Sequence, residues 1–102
     1  MDNTACVNAL LAMAEALEFL EENPFKVKAY RKAARSLASL DTEVGDLVAS
    51  GQIMHVSGVG ASIAATLKTW VLDRDLSVLE DLRNRLPQGY PELMKVAGLG
   101  MK

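Results

Sequence analysis

One cysteine, three prolines and five aromatic residues are all that this 102-residue chain contains of those types. Each scarcity excludes something. A single thiol, Cys6, rules out an internal disulfide and points to a reducing compartment, with Cys6 itself a small buried hydrophobe of the first helix. One histidine, His55, stands without neighbouring Cys, His, Asp or Glu at ligand spacing, which excludes a zinc site and leaves it a surface loop residue. No apolar run is long enough to span a bilayer, because Val7–Leu20 is interrupted by Glu15 and Glu18. The first residues, Met1-Asp2-Asn3-Thr4, lack the basic head of a signal peptide. A cytoplasmic protein with no membrane partner is expected. β-branched residues are few and scattered, no segment alternates at period two, and Ala and Leu are abundant, so the fold expected is all-α.

Half the residues are apolar and about a quarter charged, an ordinary globular composition. A chain of this size buries roughly 60–65 % of its unfolded surface, enough for one core. The net charge of −2 is uninformative, but its distribution is not. Asp2, Glu15, Glu18, Glu21 and Glu22 precede any base. Lys26, Lys28, Arg31, Lys32 and Arg35 then follow with no acid among them.

The stretch Val56-Ser57-Gly58-Val59-Gly60-Ala61-Ser62-Ile63-Ala64 organises the chain. Gly58 and Gly60 can take backbone angles closed to side chains. After them Ile63, Leu67, Trp70 and Val71 recur at helical spacing. A glycine turn feeding a helix leaves backbone N–H groups unpaired and facing outward, a site for phosphate. Val96-Ala97-Gly98-Leu99-Gly100 repeats Val56-Ser57-Gly58-Val59-Gly60 forty positions on. With that second copy cut short at Met101-Lys102, an N-terminal fragment of a longer protein is expected.

Periodicity and punctuation place the other helices. The first runs from about Thr4 to Glu21, with Val7, Leu10, Leu11, Ala14, Leu17 and Leu20 inward. Asn23-Pro24 starts a second, to about Ser39, as N-cap and N1. Its Val27, Tyr30, Ala34 and Leu37 face inward, while Lys28, Arg31, Lys32 and Arg35 make a basic stripe on the opposite face. Asp41 or Thr42 caps a short helix over about Glu43–Ser50, ended by Gly51. Gln52–Ser57 connects to the helix Ala61–Leu72. Asp73-Arg74-Asp75 turns, and Ser77-Val78-Leu79-Glu80 reads as a capping box opening a fifth helix to about Leu86. Pro87-Gln88-Gly89 ends it, and Tyr90-Pro91 leads into the second glycine motif.

Asn23-Pro24-Phe25-Lys26-Val27-Lys28-Ala29-Tyr30-Arg31-Lys32-Ala33-Ala34, followed by the Val56–Ala64 stretch, resembles the N-terminal domain of family X DNA polymerases, in particular bacterial members with a C-terminal PHP phosphoesterase domain. The resemblance covers Asn8 through Gly100. It implies a single compact bundle of four main helices plus short ones, similar to the N-terminal domain of DNA polymerase beta. A helix–hairpin–helix lies at about 52–72 and the start of a second at 96–102. It implies sequence-nonspecific binding of single-stranded or gapped DNA and its 5′-phosphate. The residues carrying it would be Lys26, Lys28, Tyr30, Arg31, Lys32, Arg35, Gly58, Val59, Gly60, Ala61 and Ser62, with Lys26 and Tyr30 in the phosphate pocket. It also implies a sodium or potassium ion on the backbone carbonyls of Met54, Val56 and Val59. Partners would be DNA and downstream polymerase and phosphoesterase domains of the same chain, the fragment alone being a monomer. Lyase-competent members read G-x-G-x-K-I-A-x-K. Here the two lysine positions are Ser62 and Thr66, so no catalytic residue is expected in this segment. Lys68 falls roughly 200° around the helix from Thr66. A 5′-deoxyribose-phosphate lyase, and a module that only packs against other protein, are the alternatives.

Overall fold

The computed structural model describes residues 1–86. Pro87–Gly89, Tyr90-Pro91 and the second glycine motif lie outside them. The elements are α1 (Asn3–Phe19), α2 (Pro24–Ala38), α3 (Val44–Ala49), a single 3-10 turn (Ile53–His55), α4 (Ala61–Leu72) and α5 (Ser77–Asn84). There is no strand among the described residues, and the all-α expectation holds.

The helix ends follow from local chemistry. Asp2 caps α1 by accepting the Ala5 N–H at 2.8 Å. α1 ends at Phe19, short of the expected Glu21. Glu21 takes a positive φ of 56°, and the N–H groups of Glu22 and Glu21 return to the carbonyls of Leu17 and Glu18 at 2.9 and 3.0 Å. That is a Schellman stop made without glycine. α2 starts as its sequence dictates, with the Asn23 carboxamide oxygen accepting the Phe25 N–H at 2.8 Å. Gly51, at φ 76°, ends α3, with Gln52 N–H donating to Leu47 C=O at 2.8 Å.

Two expected caps are replaced. α3 is capped neither by Asp41 nor by Thr42. The Asn3 carboxamide of α1 accepts the Val44 N–H at 2.8 Å and donates to the Thr42 carbonyl at 2.9 Å. The capping box at Ser77 does not form. Asp75 accepts the Ser77 N–H at 2.9 Å, which makes Ser77 the first helical residue and holds the Asp75 carboxyl below its ordinary range.

α1 and α2 form the main interface; α3 lies on α4 and α5 on α1. Trp70, Leu10, Leu37, Leu67, Val44 and Cys6 are fully enclosed. Burial pushes the Cys6 thiol up, as expected of an inert core residue. Loss of the Leu37 side chain to alanine would cost about 2–5 kcal/mol at such burial. The inner faces of α2 and α4 match their periodicity. α1 differs: Leu11 is exposed, while Ala9, Met13 and Ala16 join the expected Cys6 in the core. α1 contacts α2 and α5 on two flanks, so its buried face is wider than, and rotated from, a single stripe.

Candidate nucleic-acid interface

The turn before α4 closes with Val59 N–H donating to Val56 C=O at 3.1 Å. Gly58 sits in the left-handed region at φ 85°. A Cβ there would lie 2.8 Å from Lys32 Cγ and 3.4 Å from the Ala33 nitrogen, so the turn rests directly on α2. Val59 buries its side chain in the core and spends its amide on the turn, so it anchors the hairpin and offers no donor. Gly60 needs none of glycine's freedom. Its φ of −90° and ψ of −174° suit any residue, and a Cβ would meet nothing within 4 Å.

Gly60 matters because it has no side chain to cap with. α4 lacks a side-chain cap, and its first backbone bond is Ala64 N–H to Gly60 C=O at 2.9 Å. The amides of Ala61, Ser62 and Ile63 therefore have no intrahelical partner. Ala61 and Ser62 are exposed, and no acidic residue occupies the first turn of α4. The helix dipole adds roughly half a positive charge at this end.

Beside the turn runs the basic face of α2. Lys28, Lys32 and Arg35 are exposed, and the Lys32 stem passes over Gly58. Arg31 departs from the expected stripe. Its guanidinium grips Glu18 of α1 at 2.7 and 3.4 Å, so one of the four positive charges is already matched.

The remaining expected residues line a separate cleft of about 380 Å³. Lys26 and Tyr30 come to it from α2, Ser62 and Thr66 from α4, one helical turn apart. The structure thus gathers Lys26 and Tyr30, the pair that the resemblance puts in a phosphate pocket, with Ser62 and Thr66 in one cleft. Tyr30 is only 5 % exposed, so its ring belongs to the core and is not free to stack on a base. The Thr66 hydroxyl donates to the Ser62 carbonyl at 3.1 Å. Lys68 is exposed and outside the cleft.

Glu22, Val78, Asp81 and Arg85 also line this cleft, and sequence reasoning missed all four. No local pattern connects them to Lys26. Arg85 reaches Glu22 from 63 residues away, at 2.9 Å. Lys26 and Arg85 are offset by Glu22 and Asp81, which leaves the cleft without net charge. Phe25, next to Lys26, is 78 % exposed, the most exposed of the large apolar side chains among the described residues.

Of the three carbonyls assigned to a monovalent cation, that of Val56 already accepts the Val59 N–H. Those of Met54 and Val59 accept no hydrogen bond among the described residues. Among the described residues no three His, Cys, Asp or Glu side chains gather in a metal-binding group. No helix there is long and apolar enough to cross a membrane.

Comparison with known proteins identifies the family to which this fold belongs. A Bacillus subtilis (strain 168) protein named DNA polymerase/3′-5′ exonuclease PolX is 33 % identical over 96 residues. The match takes in 94 % of this chain and 16 % of that protein, so the chain spans a small part of its relative's length. The family model described as "Helix-hairpin-helix domain" matches residues 1–75, from α1 through the glycine turn and the whole of α4. The chain belongs to the helix-hairpin-helix domain family.

Proposed function

We propose that this domain binds single-stranded or gapped DNA without sequence preference, as part of a polymerase-type repair protein. The observation that carries the proposal is the uncapped start of α4 behind the Gly58 turn, which rests on Lys32 of the α2 face that also exposes Lys28 and Arg35. Backbone amides and lysines read phosphates, not bases, so such contacts position a strand without selecting its sequence. Three cations on a single strand predict affinity falling roughly fourfold for each doubling of salt. The exposed Phe25 ring supplies a platform for an unpaired base. The similarity to a protein named a DNA polymerase and exonuclease supports the same reading.

Within this proposal the cleft takes a 5′-phosphate. The carbonyls of Met54, Val56 and Val59 hold a sodium or potassium ion, since clustered backbone oxygens suit alkali cations. The parent chain continues into catalytic domains and works in the cytoplasm, with this domain binding as a monomer. Lyase chemistry through a Schiff base is not assigned, because Ser62 and Thr66 carry no amine.

The test is an NMR titration of the labelled chain with a gapped duplex bearing a 5′-phosphate, at about physiological ionic strength. Shifts at Gly58–Ile63 and along Lys28–Arg35 are expected. Gly60→Asp should abolish them, because its carboxylate would cap the free amides and repel phosphate. The same substitution should raise stability by about 1 kcal/mol. A flat titration in the wild type would leave the domain as a protein-packing module.

A further inference from the structure

We propose that Arg85 is an exchangeable anion ligand of the cleft, held by Glu22 in the free protein and passed to a terminal phosphate monoester when one enters beside Lys26. This rests on the DNA-binding reading and names what decides its preference for strand ends.

The ion pair joins the turn after α1 to the C-cap of α5, at 2.9 Å. Both partners line the cleft that also holds Lys26, Ser62 and Thr66. Their side chains are 56 % and 35 % exposed, so neither is locked in place. Lys26 forms no ion pair among the described residues. A volume of about 380 Å³ lies within the roughly 300–1,000 Å³ of small-ligand sites.

In the free state Glu22 and Asp81 balance Lys26 and Arg85. Such a cleft has little attraction for an anion unless one carboxylate leaves. Glu22 is the one placed to leave, because among the described residues its carboxylate is bound only through Arg85, and it lies half-buried at the turn after α1. A monoester at neutral pH carries roughly −1.5 to −2 charges and three acceptor oxygens, against one charge on a carboxylate. A guanidinium fork binds phosphate in bidentate fashion. The monoester therefore displaces Glu22 from Arg85. An internal diester, with a single charge, has no such advantage. The cleft thus distinguishes a phosphorylated end from the backbone that the α4 hairpin reads.

The test compares three short strands, ending in 5′-phosphate, 3′-phosphate or only hydroxyls, by fluorescence anisotropy. Each is titrated with wild type, Glu22→Gln, Arg85→Gln and Arg85→Lys. Wild type should prefer a phosphorylated end. Glu22→Gln, which frees Arg85, should widen that preference by roughly two- to fivefold, the range of a partly exposed ion pair. Arg85→Gln should narrow it by a similar factor, and Arg85→Lys should fall between. A gain in Glu22→Gln cannot come from misfolding, so it guards against instability of the Arg85 variants. An unchanged or smaller preference in Glu22→Gln, or an intact one in Arg85→Gln, overturns the exchange. If all three strands bind equally in every variant, the exchange is wrong and the hairpin reading stands. If none binds at all, the DNA-binding reading fails with it.

Discussion

Replacing glycines one at a time separates two kinds of constraint. Gly51 and Gly58 have φ of 76° and 85°, whereas Gly60 has φ −90°. An added Cβ meets nothing within 4 Å at Gly51 or Gly60, but at Gly58 it lies 2.8 and 3.2 Å from Lys32 Cγ and Cδ. A left-handed backbone costs an alanine roughly 1–2 kcal/mol. The stiffer unfolded chain returns roughly 0.4–1 kcal/mol. Gly51→Ala should therefore cost about 1 kcal/mol. Gly58→Ala must in addition push the root of the Lys32 side chain off its rotamer, for about 1 kcal/mol more. Gly60→Ala escapes both costs and loses only a weak N-cap preference, leaving it within about 0.5 kcal/mol of wild type. Urea denaturation followed by circular dichroism at 222 nm reads the series. Gly58→Ala should also melt roughly 10 °C below wild type. Equal losses at Gly51 and Gly58 would remove Lys32 from the account, and a Gly60→Ala loss matching Gly58→Ala would refute the torsional argument altogether.

Three further outcomes are expected. Asn3→Ala removes both the acceptor for Val44 N–H and the donor to Thr42, so urea denaturation should show a loss of about 1–2 kcal/mol. Glu18→Gln frees Arg31 and should raise affinity for single-stranded DNA roughly two- to fivefold at low salt, with a steeper salt dependence; unchanged affinity would mean that Arg31 does not face the strand. The Asp75 carboxyl is held low, first by the Ser77 backbone N–H and then by its side chain, so its contribution is complete above the ordinary aspartate range and is lost as pH falls through the lowered value. Amide exchange at Ser77 should accelerate over that acid window in wild type, and Asp75→Ala should remove the dependence.

What could be read from the sequence was what short-range chemistry decides. Asn23-Pro24 fixed the start of α2, Gly51 the end of α3, and the glycine turn both the start and the setting of α4. The failures arise where a distant residue does the work. The cap of α3 comes from Asn3, 41 positions before Val44, and no window around Asp41 or Thr42 contains it. At α5 a residue two positions upstream, Asp75, took the amide that a capping box would have left to Ser77. Leu11 and Met13 exchanged places because periodicity gives the direction of an apolar stripe but not its width. The cleft was half legible. Lys26, Tyr30, Ser62 and Thr66 came through the family resemblance, while Glu22, Asp81 and Arg85 meet only in the folded chain.

The same distinction explains how an acidic domain could present the phosphate-binding surface proposed above. Sequence shows acids before Asn23 and bases after it, which reads as simple polarity. Folding α1 against α2 turns that polarity into pairing, because Glu18 comes to lie on Arg31. Glu22 at the intervening turn is taken up by Arg85. The acids nearest α2 thus cancel selected cations and leave Lys28, Lys32 and Arg35 exposed on the face of α2 whose Lys32 meets the Gly58 turn. At physiological salt the Debye length is about 8 Å, so a strand at the hairpin responds to these nearby groups far more than to the net charge of −2. The cleft is the opposite case, with its acids among its bases, and under the proposed exchange it takes a phosphate by moving one of them. On the proposed reading, the hairpin is therefore the standing site for the strand, and the cleft a conditional one for its end.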